Sequence, residues 1–492
     1  MNLSHPRHAW LRPWAVLLAL ATVSFLRAED SAADLIKSGE AKYDRNDLSG
    51  AVADYTRAIG IDPENAAAYF GRGIAKDDLR DSAGALADLA KAIALRPDQA
   101  AYYRSRGVAH SRMDRLDEAI ADYTKAIELK PDYAIAYYDR GVDRESKGDT
   151  DGAMADYTKA IGLNPETAVF LRARGSLLDD EGQHEEAVAD LTKAIALQPE
   201  NSRAYYLRGL ARKNLGQIDA AITDFDSAIT RAPESAAAYA SRGNARDDQG
   251  NPAGAIADLT KAIELRPDNP SYYNDRGVAR SHTDDTEGAI ADYTKALALD
   301  SDDALFYRNR AAGWQRMGKF AAALADLDQA IAKRPKNPAN YRRRAQTYQA
   351  MKDDARALAD YDRAIALLDK DTIGYEHLYR NLVLRRLGRD TAFADLAREI
   401  ATWNSGWAKS IGLFLTDALS EKNFLARVPQ GLEREAREQR CEAYYFAGML
   451  RLLGCNAAGA RELFTQCLSL NLGGFEEADL ARAELARLTE EK

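Results

Sequence analysis

Cysteine is scarce in this chain: there are three in 492 residues, at 441, 455 and 467, all near the C-terminal end. No CxxC pair or metal-ligand spacing accompanies them, so no zinc module is predicted. They read first as small apolar residues in a helical pair. The second reading is a disulfide, which would leave one thiol free. Positive charge is also short, with 67 Lys and Arg against 76 Asp and Glu. The longest basic run, Arg342-Arg343-Arg344, sits within a helical pattern and reads as a solvated helix face. A phosphate-backbone binder needs a concentrated basic face, so nucleic acid is excluded as a partner.

Long apolar runs are missing too. The one leader-like run, Ala15 to Leu26, is shorter than the roughly 20 residues that span a bilayer. Arg7 and Arg12 precede it without an acid, and Arg27-Ala28-Glu29-Asp30 follows. This order of basic, apolar and small-residue regions predicts a secretory signal over 1–28, cut after Ala28. The mature chain is then periplasmic or secreted, without a membrane span. The alternative is an uncleaved anchor. No cysteine stands near the cut to carry a lipid.

Catalytic signatures are absent as well. There is no GxSxG, HExxH or phosphate loop. Gly71-Arg72-Gly73 superficially opens a phosphate cradle, but no strand precedes it. His110, His184, His282 and His377 fall in different parts of the pattern. No catalytic, cofactor-binding or metal residue is assigned, and the chain is read as a non-enzyme. The remaining enzyme reading is a site within the irregular stretch 403–439.

What the chain does have is a period. Prolines stand at 63, 97, 131, 165, 199, 233 and 267 and again at 335, always in steps of 34 residues, with Ser301 in the skipped slot. Alanine columns run from Ala51 to Ala357 and from Ala58 to Ala364. A large residue lies between them (Tyr55, Leu89, Tyr123, Tyr157, Leu191), and a glycine column runs from Gly73 to Gly277. Within a unit, apolar spacing predicts one helix over 136–147 and a second over 151–163, separated at Gly148-Asp149 and closed by Asn164-Pro165. A glycine inside a helix costs about 1 kcal/mol against alanine. Its recurrence is read as close approach of the partner helix at the alanine column.

The set Tyr137, Gly141, Ala153, Tyr157, Ala160 and Pro165 resembles the tetratricopeptide repeat (TPR) family. The resemblance covers ten repeats over 32–371, with late departures at Ala311, Ala345 and Asp369. It implies an all-α superhelix of stacked helix hairpins, a TPR solenoid, whose concave groove binds peptides or protein segments. Residues 372–440 read as a degenerate repeat and an irregular helical segment. Residues 441–492 read as a last TPR-like repeat and a capping helix, with Glu476, Glu477, Arg482 and Glu484 on its outer face. Trp407 to Leu425 and Cys441 to Gly454 are similar to the C-terminal part of bacterial envelope TPR proteins such as the NlpI lipoprotein. That likeness implies an adaptor that gathers cell-wall enzymes.

Two charged columns keep the same step: Asp54 through Asp360 beside the large residue, and Arg72 through Arg344 beside the glycine. A catalytic constellation is made once, not ten times. The columns therefore read as a ladder of ion pairs, with a charged ligand-binding stripe as the alternative. Candidate groove residues are those that vary on the first helices: Phe70, Asp77, Asp78, Tyr138, Asp179, Asp180, Arg203, Tyr206, Asp247 and Asp248. Acids and aromatics there point to a basic or mixed-charge protein segment. The alternative is that the acids simply solvate the turns. Partner identity, pathway and oligomeric state are not legible.

Overall fold

Each 34-residue unit folds as two antiparallel helices because its punctuation is local. In the fourth unit the first helix is Ala134–Ser146 and the second Thr150–Leu163. The first starts two residues ahead of the spacing-based expectation, since Ala134 is itself buried. Between them Gly148 takes a positive φ. Asp149 then caps the second helix by accepting from Gly152 N–H at 3.1 Å. Pro165 ends the pair. In the computed structural model the described residues are 31–369, 374–389, 391–431 and 434–490. The expected signal over 1–28 lies outside them. Among the described residues there are 27 helices and no strand, which is an all-α repeat architecture.

The chain divides into two units, residues 1–199 and 200–492. The first holds repeats R1–R5, helix pairs from Ala32–Asp44 to His184–Leu197. The second holds R6–R10, from Ser202–Asn214 to Asp354–Ile365, followed by seven further helices. Within each unit helices pack on their chain neighbours. First helices of successive repeats also approach one another, across R1–R4 and across R6–R10, so they line one face.

The ion ladder is present from R2 to R10. Arg140 gives its Nε and one terminal nitrogen to the two oxygens of Asp156, at 2.8 and 2.7 Å. The same fork joins Arg72 to Asp88, Arg174 to Asp190, Arg276 to Asp292 and Arg344 to Asp360. Planar bidentate pairing is what guanidinium offers and ammonium does not. The arginine's third nitrogen reaches the preceding repeat: Arg140 donates to Thr124 Oγ1 at 2.9 Å, and Arg344 to Asp328 at 2.7 Å. Each arginine also lies over the tyrosine three residues earlier where one is present, as Arg140 over Tyr137. One side chain thus ties its own hairpin shut and joins it to the neighbour. In R1, where Ser38 takes the arginine's place, Asp54 accepts from Ser38 and pairs with Lys42.

The glycine column has a sharper cause than the one expected. A Cβ on Gly141 would lie 2.7 Å from Tyr157 Cε1, whereas Ala153 O would be 3.4 Å away. The large residue sets the demand, and the alanine column is the second contact. Gly107, Gly209 and Gly277 face Tyr123, Phe225 and Tyr293 in the same way.

Beyond R10, Tyr375–Arg386 and Ala392–Thr402 form a further helix pair. Short helices Trp407–Leu415 and Glu421–Leu425 follow, then Arg434–Leu453, Ala457–Leu468 and the terminal helix Glu476–Glu490. Cys441 and Cys467 form a disulfide across the first two of those last three helices, and Cys455 is free and exposed. A single core joins R10 to this tail, with Tyr361, Tyr379, Phe424, Phe446 and Phe464 all buried in it.

The terminal helix departs from expectation. Glu477 is 3% exposed and Glu484 6% exposed, so the acids read as an outer face are buried. Arg482 alone keeps an open position, at 42%. Glu477 is buried where Tyr379 OH donates to it, and Glu484 where Arg386 and Arg487 meet it, while Glu476 and Asp479 face arginines on the first helices of R10 and R9.

Candidate functional site

The surface with the most variable chemistry is the face lined by first helices. In the first unit, Asp77 accepts from Arg112 at 2.6 Å and from Ser82 at 2.8 Å. Asp78 accepts from Tyr43 at 2.5 Å and from Arg112 at 3.2 Å. Except for that of Ser82, which lies in the same repeat as Asp77, these bonds cross from one repeat to the next. Asp179 meets His184 at 2.6 Å. Asp180 is exposed and has no partner among the described residues. Phe70 packs on Tyr102 with ring centroids 4.5 Å apart, and Tyr138 lies 5.2 Å from Phe170.

In the second unit Arg203 lies over the Tyr206 ring at 5.1 Å, and Tyr206 packs on Phe225. Asp247 meets His282 at 2.9 Å, and Asp248 pairs with Lys213 at 3.2 Å. The ten candidates thus all lie on first helices, six in one unit and four in the other. Of the six acids, Asp77, Asp78 and Asp248 meet arginine or lysine, and Asp179 and Asp247 meet histidine.

Several residues that sequence reasoning passed over sit on the same faces. Arg104 pairs with Asp139 at 2.7 Å. Burial pushes the Asp139 carboxyl above its ordinary range, although Arg104 opposes this. Asp143 accepts from Ser111 at 2.7 Å, but its other oxygen is buried without a partner. Burial raises its pKa too. A signal for it existed: Asp143 occupies a 34-residue column that holds Ala75, Ala109, Leu177, Ala211, Ala245 and Ala279, all buried.

In the second unit the first-helix face of R9 and R10 is cationic, and the chain covers it with its own C-terminal segment. Arg316 pairs with Asp479 at 3.0 Å and also donates to Ser281 O at 3.0 Å. Glu476 lies 3.3 Å from Arg343, 3.6 Å from Arg342 and 3.1 Å from Gln346 Nε2. Burial pushes the Glu476 carboxyl up, but Arg343 and Arg342 prevail and hold it below the usual range. The entering loop needs glycine: a Cβ on Gly473 would stand 2.6 Å from Ser281 O.

Deeper in the tail, Glu442 accepts from Trp407 Nε1 at 2.5 Å and from Tyr375 OH at 3.1 Å, and Glu477 accepts from Tyr379 OH. Burial pushes Glu442 up to about 7, against the pull of those two donors. Burial and the neighbouring Glu442 push Glu477 up as well.

The four histidines singled out from sequence are not brought together. Among the described residues no group of His, Cys, Asp and Glu is arranged to hold a metal ion. Nor is any helix among them long and apolar enough to cross a membrane.

Family models for TPR repeats match residues 39–76, 112–142 and 175–216, and others described as tetratricopeptide repeat match 206–259, 240–304, 315–372 and 134–167. Together these stretches take in more than half of the chain. No curated protein gives a significant match. Among solved structures the chain is similar to YrrB, described as a TPR protein with an unusual peptide-binding site: 27% identity, covering 36% of this chain and 92% of that one, TM-score 0.33. MamA gives 28% identity over 34% of this chain and 96% of its own, TM-score 0.31. A tetratricopeptide repeat protein from Parabacteroides merdae gives 22% identity over 49% and 96%, TM-score 0.41. With the repeat period, the helix hairpins and the family models in agreement, this chain belongs to the tetratricopeptide repeat family, whose fold is typically a non-catalytic interaction scaffold.

Proposed function

We propose that this protein is an exported, non-enzymatic scaffold that holds segments of other proteins against its first-helix faces. The observation that carries the reading is the first unit's face. There Phe70 and Tyr138 are half-buried, Asp180 is exposed and unpaired, and Asp143 keeps a buried oxygen without a partner. A basic or mixed-charge segment complements such a face: aromatics supply contact area and the acids receive its cations. Preordered helices lose little conformational entropy on binding. Export rests on the leader-like residues 1–28. The test is a capture of partners by full-length protein from an envelope or secreted fraction, beside a Tyr138→Ala/Asp180→Lys variant. Loss of partners from the variant supports the reading; an identical partner set refutes it.

A second reading makes the protein an envelope adaptor that gathers cell-wall enzymes through its C-terminal helices. A charged recess of about 300 Å³ between Tyr375–Arg386 and Ala392–Thr402, lined in part by His377, Arg380, Asp395 and Glu399, favours it. Partners retained by the face variant and lost on Arg398→Glu would move the assignment there.

A further inference from the structure

The contact between the terminal helix and the first helices of R9 and R10 is rich in charged pairs. Repeats elsewhere bury alanines and large apolar residues between them, with isolated pairs such as Arg112 and Asp77 along the first-helix face. Here the meeting groups are charged: Asp479 with Arg316, Glu476 with Arg342 and Arg343, and Arg487 with the Gln349 carbonyl. Acids come from the tail and most of the cations from the groove wall.

The match is incomplete. Arg308 projects from the first helix of R9, Ala304–Arg316, and has no hydrogen-bond or ion-pair partner among the described residues. Burial beside Arg343 and Arg342 disfavours its charge. A buried guanidinium without a counter-charge is costly, so Arg308 leaves this wall with a capacity for anionic groups that the tail does not use.

We infer that the first helices of R9 and R10 form a binding groove for acidic helical segments, and that residues 476–489 occupy it as an intramolecular ligand which an acidic partner helix displaces. The inference rests on the reading that first-helix faces hold partner segments, applied here to a second, cationic face. Tethering gives the internal helix a high effective concentration, so a competitor must fill what the tail leaves open. Arg308, the cation that the tail leaves without a partner, is where it would gain.

The probe is a fluorescent peptide with the sequence of residues 475–489, added to the full chain. A neutral control peptide carries glutamine and asparagine at the positions of Glu476 and Asp479. In the full-length variant Glu476→Gln/Asp479→Asn the internal helix loses both anchoring acids. The acidic peptide should bind that variant about tenfold more tightly than wild type, and the control peptide should bind neither. Equal affinity for the two proteins, or no binding to the variant, overturns the inference. A second measurement needs no variant. Excess acidic peptide should accelerate hydrogen exchange of wild-type amides 476–489 about tenfold; unchanged exchange overturns it equally. Partner capture through the first unit with an immobile terminal helix would refute this inference alone. Displacement without any captured partner would refute only the first.

Discussion

Arg316 and Asp479 stand 163 positions apart in the chain and 3.0 Å apart in space, each side chain only 7% exposed. A pair so buried is expensive to break singly, because the survivor is left charged without compensation. Arg482 also reaches Asp479, at 2.8 Å, and softens the loss. Arg316→Ala should therefore destabilise the second unit by about 2 kcal/mol, below the 3–5 kcal/mol of an isolated buried pair. Denaturant unfolding measures it. In the double variant with Asp479→Ala the losses should fall short of the sum, and strict additivity would show that the pair is not coupled.

The arginine ladder makes unequal predictions at two rungs. Asp190 is held by Arg174 with Leu178 at the next turn, whereas Asp224 is held by both Arg208 and Arg212. Arg174→Ala should cost about 3 kcal/mol and Arg208→Ala about half that, since Asp224 keeps a cation. Charge reversal at Asp190 should lower the melting temperature further still. Matching losses at Arg174 and Arg208 would contradict the ladder as drawn.

Two glycines in one repeat should respond in opposite directions to alanine. Gly141→Ala drives a methyl to 2.7 Å from the fully buried Tyr157 ring and should destabilise by about 1–3 kcal/mol. Gly162→Ala meets nothing within 4 Å, inside helix Thr150–Leu163, and should stabilise by up to about 1 kcal/mol. Thermal melts of the two variants decide it.

Acid chemistry in the tail gives a pH dependence. Glu442 keeps its proton in the folded chain up to about pH 7, while the unfolded chain releases it near 4.5. Its contribution to stability is thus fully present below about 4.5 and is lost as pH rises through about 7. The second unit should weaken between those values and beyond, with Glu477 acting in the same direction. Glu442→Gln keeps an acceptor for Trp407 and removes one titration, so its stability profile should flatten. A slope equal to wild type would assign the effect elsewhere.

The period, the helix pairs and the Arg–Asp ladder were legible in the residues, because each rests on local spacing repeated many times. Cysteine pairing stayed open there between packing and a disulfide; the tail's fold brings Cys441 to Cys467. The burial of Glu477 and Glu484 was not legible. A helix with acids on one side looks solvated until distant partners, Tyr379 for Glu477 and Arg386 for Glu484, are placed against it. Arg308, Arg316, Arg342 and Arg343 look like ordinary helix surface until the tail returns to them. Short-range patterning fixes what one hairpin is and how it meets the next. Only the return of residues 471–490 onto R8–R10 decides which charges are desolvated and which face remains open, since that depends on contacts more than a hundred residues apart.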